Sequence, residues 1–300
     1  MTTGILYHPS FSRRSYLTQG SRLQDFPRAL EPLLKDPRFV LLESPPIDEA
    51  WVLKVHTPEL LEGVYRDPLC STAWHSAGGV VLGAEKIALG EIRNAFAFIG
   101  AGGHHSGRDF FGGYCCFNDV VLAMTVLRER YGVRRFAILD TDAHHGDGTR
   151  DLVRSDPDVL HVCVCYSAYE SPDGTKVDVP VPGGPSLWRA FPWHERTEAE
   201  GSEWDMDRRY YEVAREAFYE RCVRFAPELI FWYFGFDTHR GDYGDIGLTR
   251  KAYLLIAHMM KELADNVCEG RLEVVLGGGS RSDIARDCIP PIIAILGGRS

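Results

Sequence analysis

Apolar residues run in short blocks that recur along the chain: Gly4–Tyr7, Phe39–Leu42, Ala95–Gly100, Phe136–Leu139, Val159–Tyr166, Leu229–Phe234, Glu273–Leu276 and Ile292–Leu296. Most are continuously apolar rather than alternating, which predicts strands buried on both faces. Between them, Ala77–Leu89, Asn118–Tyr131, Asp205–Phe225 and Thr249–Leu263 carry apolar residues at helical spacing. The order strand, helix, strand predicts one α/β domain over residues 1–300, a mainly parallel sheet of about eight strands with helices on both faces. No internal repeat, low-complexity tract or Gly/Ser linker divides the chain. The Pro-rich stretch Val179–Trp193 reads as a long loop, because apolar strands continue on both sides of it.

Composition narrows the picture only in places. With 45% hydrophobic and 25% charged side chains, the chain has the make-up of an ordinary globular protein. It shows neither a run of about eighteen apolar residues nor a basic, apolar leader at its start, so a cytoplasmic protein without a membrane span is expected. Forty-two acidic residues against 33 basic ones give a formal charge of -9. That disfavours a nucleic-acid partner and is compatible with a cationic small molecule or a lysine-rich peptide. The eight cysteines, at 70, 115, 116, 163, 165, 222, 268 and 288, include no C-x-x-C and lie mostly inside apolar runs. They read as reduced and mostly buried, with Cys163 and Cys165 alternating along a strand as packing residues.

In parallel α/β sheets ligands bind beyond the carboxyl ends of the strands. Polar residues gather at four such places: Gly100–Asp109, Asp140–Gly148, Gly235–Asp245 and Gly277–Ser280. In an extended segment, residues two apart share a face, so Asp142 and His144 aim an oxygen and a nitrogen at one point, with Asp140 one step deeper. Asp237, ending the apolar run Leu229–Phe236, is the best-placed third ligand. An O, N, O set with a vacant position suits catalytic zinc, and its ligand types also admit ferrous iron or cobalt. Asp140 and Asp147 are then left over, and the tandem His104 and His105 are two imidazoles in need of orienting partners. One histidine as general base for water and another to steady or protonate a leaving amine make a workable amide-hydrolysis centre.

These residues carry a resemblance. Gly103-His104-His105, the run Gly113–Asp119 with Tyr114 and Asn118, and Asp140-x-Asp142-x-His144-His145-Gly146-Asp147-Gly148 occur in an order similar to the histone deacetylase and acetylpolyamine amidohydrolase superfamily. So do Gly235-Phe236-Asp237-Thr238-His239 and Leu276–Gly279, and the likeness runs from Tyr7-His8-Pro9 through His56-Thr57-Pro58-Glu59 to the C-terminus. The resemblance implies an arginase-deacetylase fold, one catalytic zinc on Asp142, His144 and Asp237, and a structural potassium ion beside Asp140 and His144. It pairs the general base His105 with Asp147 and pairs His104 with Asp140. It places Tyr114 in the acyl channel, with Gly113, Gly278 and Ser280 as further substrate-contacting positions. The implied reaction is removal of an acyl group from acylated lysine in a protein or peptide, with an acylated polyamine or other small amide as the alternative substrate. A two-metal, arginase-like centre is disfavoured, because Gly146 stands where its second carboxylate belongs.

Two departures from the family pattern stand out. Active deacetylases follow the glycine run with a tyrosine that hydrogen-bonds the oxyanion, and here the position is Ser280, followed by Arg281. Losing one such donor costs about 100- to 1,000-fold in turnover, so a catalytically weak acyl-lysine binder is a rival reading. Ser280 with a held water, Arg281, or a tyrosine from another loop, such as those around Asp237 and Tyr243, are the candidate replacements. The link from Tyr65 to Ser76 is also short, which predicts a wider pocket entrance, with Asp67 read as a turn former or a rim contact to substrate. The loop Val179–Glu203, with Trp188, Trp193 and His194 and with Trp204 just beyond it, is expected to cover that entrance or to form a small satellite core.

Overall fold

A computed structural model describes residues 2–13, 22–181 and 203–299. The first elements are β1 (Thr3–Tyr7), α1 (Glu31–Leu34), β2 (Phe39–Glu43), α2 (Glu49–Val55), α3 (Pro58–Arg66) and α4 (Ala73–Ala88). They are followed by β3 (Asn94–Ala97), α5 (Asp119–Tyr131), β4 (Phe136–Asp140), α6 (Asp147–Val153), β5 (Val159–Cys165), β6 (Tyr169–Glu170) and β7 (Lys176–Pro180). The chain closes with α7 (Glu203–Phe225), β8 (Leu229–Phe234), α8 (Arg250–Val267), β9 (Leu272–Leu276) and α9 (Ser282–Leu296). The strands form one nine-stranded sheet in the order β2-β1-β3-β9-β8-β4-β5-β7-β6. Every pairing is parallel except β6 with β7.

This is a single α/β domain, as the apolar blocks predict, and the continuous blocks are the strands buried on both faces: every residue of β4, β5, β8 and β9 is buried. The helices fall into two packed groups, α4 with α5 and α2 with α5 in one, α7 with α8 and α8 with α9 in the other. Asn118 starts α5 by accepting a bond from the Val121 amide, and Gly132, at φ 70°, ends it in the left-handed conformation that terminates helices.

Three expectations need correction. The block Ile292–Leu296 is not a strand; it is the last turn and a half of α9. Its apolar residues continue a helical stripe through Ile284, Cys288, Ile289, Ile292, Ile293 and Leu296, and the interior Pro290 and Pro291 disguise the period. The hairpin β6–β7 was not expected, because its buried positions include Lys176 and Asp178. Those charges are tolerated because Lys176 Nζ donates to the Asp156 and Val159 carbonyls (2.8 and 2.7 Å) and Asp178 receives Arg150 (2.7 Å). Finally, Cys70 and Cys116 are joined in a disulfide, Cα to Cα 6.0 Å, although all eight cysteines were expected reduced. A separation of 46 residues leaves no local spacing to reveal the pair; the other six are free and buried as expected. Trp188, Trp193, His194 and most of the 179–203 loop lie outside the described residues.

Trp232, in the middle of β8, links this core to the site. Fully buried, it donates its indole N–H to Thr141 Oγ1 (2.9 Å), fixing the backbone between Asp140 and Asp142. Trp232→Ala should lower stability by about 3–5 kcal/mol. The denaturant midpoint should fall with an unchanged slope, and a loss under about 1 kcal/mol would show that Trp232 is not a core anchor.

Candidate active site

The four polar segments leave the carboxyl ends of β3, β9, β8 and β4, which are neighbours at the centre of the sheet. Asp142 and His144 follow β4, Asp237 follows β8, and one ligand atom from each lies within 4.8 Å of the others. His144 Nδ1 sits 3.1 Å from Asp142 Oδ1 and 3.2 Å from Asp237 Oδ2. The backbone holds both carboxylates in place: the Gly278 amide donates to Asp142 Oδ2 (2.6 Å) and the Ala143 amide to Asp237 Oδ1 (3.1 Å). Asp237 Oδ2 is fully buried and, among the described residues, has no well-aligned hydrogen bond beyond the close approach of His144 Nδ1. Such an oxygen beside a second buried carboxylate is what a cation would satisfy, so the donor set fits a zinc-class ion.

Electrostatics point the same way. The hydrogen bond to Asp142, joined by the close contact with Asp237, pushes the His144 imidazole up to about 11, against the opposing effect of burial. Burial, joined by the charge of Asp142, raises Asp237 to about 7. Burial also acts to raise Asp142, yet the charges of His104 and His144 hold it well below the usual carboxylate range. The trio thus gathers positive charge at the point between the two aspartates.

The tandem histidines are held differently. His104 is buried, donates from Nδ1 to Asp140 Oδ2 (2.9 Å), and stacks on the Tyr233 ring at 4.7 Å. Tyr233 in turn accepts the Gly103 amide at 2.9 Å, which fixes the turn before the pair. Burial alone would lower His104, but the charges of Asp140 and Asp142 outweigh it and raise the imidazole to about 9. His105 is more open, with its side chain 20% exposed. It donates from Nδ1 to Asp147 Oδ1 at 2.6 Å, and its ring centroid lies 6.0 Å from that of His144. The dyads expected from the sequence, His104 with Asp140 and His105 with Asp147, are both formed.

One cavity opens over these groups, lined by His104, His105, Asp142, His144, Tyr233 and Tyr243, with Gly113, Tyr114 and Gly278 on its walls. Gly113 and Tyr114 both take positive φ, 54° and 65°, a reversal that Gly113 allows and that sets Tyr114 at the mouth. A side chain on Gly278 would strike Asp142 Oδ2, Asp237 Oδ2 and the Tyr243 hydroxyl, at 2.6, 2.7 and 2.7 Å from its Cβ, so only glycine lets this loop approach the trio.

Ser280 is not brought to this cavity. Its hydroxyl and amide both donate to Asp242, at 2.9 and 3.0 Å, and Arg281 turns away to Asp283. Of the candidate replacements, it is Tyr243, from the loop after β8, that lines the cavity. Its hydroxyl accepts the Gly279 amide at 3.0 Å, and its ring lies 5.7 Å from His144. The sequence marks this loop through Asp237 but cannot show which of its residues folds back over the trio. Asp67 acts as the turn former, accepting the Leu69 amide at 2.9 Å at the start of a short 3-10 turn.

Residues 64–296 match the histone deacetylase domain. The chain is 28% identical over 313 residues to a "Probable deacetylase" of Archaeoglobus fulgidus, covering 93% of this chain and 81% of that protein. It is 32% identical over 237 residues to "Histone deacetylase 5" of Arabidopsis thaliana and 28% identical over 210 residues to "Polyamine deacetylase HDAC10" of Danio rerio. It spans 34% and 30% of the length of those two proteins. The crystal structure of the HDA15 HD domain superposes with a TM-score of 0.77 at 21% identity, over 100% of this chain and 89% of that one. The strands β1 and β2, which precede the matched residues, belong to the same sheet.

Asp237→Ala removes one of the two buried carboxylates that flank His144 Nδ1. Elemental analysis should show it binding about one zinc-class ion fewer per chain than the parent protein, with the fold retained by circular dichroism. An undiminished metal content would place the ion elsewhere.

Proposed function

The chain belongs to the histone deacetylase domain family, and from that premise we propose that it is a zinc-dependent deacylase acting on acylated lysine in a protein or peptide. The observation that carries this reading is His144 Nδ1 lying between Asp142 and Asp237 while the more open dyad His105–Asp147 faces it across the cavity. When bound at the trio, a zinc-class ion supplies Lewis acidity toward the acyl carbonyl and lowers the pKa of the attacking water. A structural potassium ion beside Asp140 and His144, a cytoplasmic setting and a single unit over residues 1–300 complete the proposal.

His105 is the group suited to take the proton from water. Its Nδ1 is committed to Asp147, which leaves Nε2 to act as base, and it is the more open of the two histidines. His104, buried between Asp140 and the Tyr233 ring, stabilises charge and steadies the departing amine. The proton taken by His105 is returned to that amine as the amide C–N bond breaks, giving a carboxylate and a free amine. Tyr114 lines the approach of the acyl chain at the mouth of the cavity.

Tyr243 takes the place that Ser280 leaves. Its oxygen accepts from the Gly279 amide, so its own O–H remains to donate to the carbonyl oxygen as negative charge develops there. This supports an active enzyme over the weak-binder reading. An acylated polyamine is the second substrate class, favoured by the acidic chain and by the likeness to the polyamine deacetylase of Danio rerio.

The test is turnover of acetyl-lysine peptide and acetylpolyamine with and without chelator. Chelation should abolish peptide hydrolysis, and zinc should restore it; hydrolysis indifferent to chelator would contradict the proposal. His105→Ala should remove turnover while keeping metal, and His104→Ala should be damaging but less complete. If both lost metal equally, they would be ligands and not proton carriers. Tyr243→Phe should lower kcat about 100- to 1,000-fold, whereas Ser280→Ala should stay within about threefold of the parent. The reverse pattern would return the donor role to Ser280.

A further inference from the structure

A second cluster of metal-ligating atoms lies one strand away from the site, and it does not enter the chemistry above. Cys163 and Cys165, two residues apart on β5, point to the same face of the sheet. Asp178 on β7 is the registered partner of Cys163, and His145 comes down from the turn after β4. One ligand atom from each of the four lies within 4.8 Å of the others. His145 Nδ1 is 3.5 Å from Cys165 Sγ and 3.6 Å from Asp178 Oδ1. A tetrahedral ion with metal–sulfur bonds of 2.3 Å and metal–nitrogen bonds of 2.0–2.1 Å needs ligand separations of roughly 3.3–3.8 Å, so these edges already have the right length.

We propose that His145, Cys163, Cys165 and Asp178 form a second cation site, selective for a thiophilic divalent ion of the zinc or cadmium class. Two thiolates and an imidazole are soft donors, unlike the O, N, O set at Asp142, His144 and Asp237, so the two sites discriminate between ions by chemistry. Its thiolates also set it apart from the proposed potassium position beside Asp140 and His144, which draws partly on backbone carbonyls. Each thiol gives up its proton to solvent as the ion binds. Arg150 completes the arrangement: it donates to Asp178 Oδ1 at 2.7 Å and to His161 Nδ1 at 3.2 Å. Its positive charge offsets one of the three negative charges that two thiolates and Asp178 present, leaving the site matched to a divalent ion. The two cysteines and Asp178 are buried, and the His145 side chain, 30% exposed, forms the open side through which an ion enters. Because His145 directly follows His144, an ion here anchors the turn that carries a residue of the candidate active site.

Cadmium is the probe. Titration of metal-free full-length protein with Cd2+ should produce an ultraviolet sulfur-to-cadmium charge-transfer band that saturates at about one thiolate-bound ion per chain. The band should persist in Asp237→Ala, which separates this proposal from the assignment of the active site. It should be lost in Cys165→Ser and strongly reduced in Cys163→Ser. His145→Gln should weaken Cd2+ about tenfold or more, the least that loss of a group around a metal usually costs. Circular dichroism confirms folding of each variant. A measurement on the parent protein needs no variant: Cd2+ should slow alkylation of Cys165, located by mass spectrometry. No charge-transfer band, a band unchanged in both cysteine variants, or a band lost in Asp237→Ala would each overturn the proposal.

Discussion

Two carboxylates, Asp142 and Asp237, are driven into a nearly water-free position by the strands that carry them, and everything around the site answers their mutual repulsion. A pair of buried negative charges a few ångströms apart is tolerable only with positive charge between them. In the protein alone His144 Nδ1 lies between them, its imidazole pushed towards the protonated form, and backbone amides from Gly278 and Ala143 donate to further lone pairs. Asp237 Oδ2, buried and without a well-aligned hydrogen bond among the described residues, points to what the protein leaves for an external cation. The glycine run after β9 follows from the same crowding, since any side chain at Gly278 would occupy the space between the two aspartates.

The sheet makes this convergence possible. Segments distant in sequence meet because β3, β9, β8 and β4 are adjacent and parallel, so their carboxyl ends face one way. Asn118 binds the assembly further: its amide group donates to the Ser106 carbonyl and to Thr149 Oγ1, both at 3.0 Å, tying the histidine loop to α6, where Asp147 begins. The base dyad is therefore braced by a helix start on each side, which suits a group that must stay oriented while its proton moves.

Much of this is legible in the sequence because the fold class and the candidate ligand set both leave local marks. Strands buried on both faces have to be apolar throughout, and ligands at i and i+2 of an extended segment need no tertiary information to be recognised. What escapes is decided by tertiary contacts. The polar residues of β7 hide a strand because their compensating partners, Arg150 and the carbonyls of Asp156 and Val159, lie elsewhere in the chain. The end of α9 imitates a strand because two prolines mask a helical stripe. Ser280 holds the position of the missing tyrosine in sequence, but its hydroxyl turns to Asp242, and the phenol in the cavity comes from Tyr243 on another strand's loop. Spacing identifies which loops meet; it does not say which side chain of a loop reaches the reacting atoms.

The proposed replacement of Ser280 by Tyr243 is coherent in physical terms. A donor to a developing oxyanion has to be fixed before the reaction, and Tyr243 is fixed by accepting the Gly279 amide while keeping its own proton. All of this rests on a cation between the two aspartates. Anomalous diffraction at the zinc edge, from crystals of zinc-supplied protein, tests that directly. A peak is expected within bonding distance, about 2.0–2.2 Å, of Asp142, His144 Nδ1 and Asp237 together. A structure with zinc in the crystal but no peak among those three residues would contradict it.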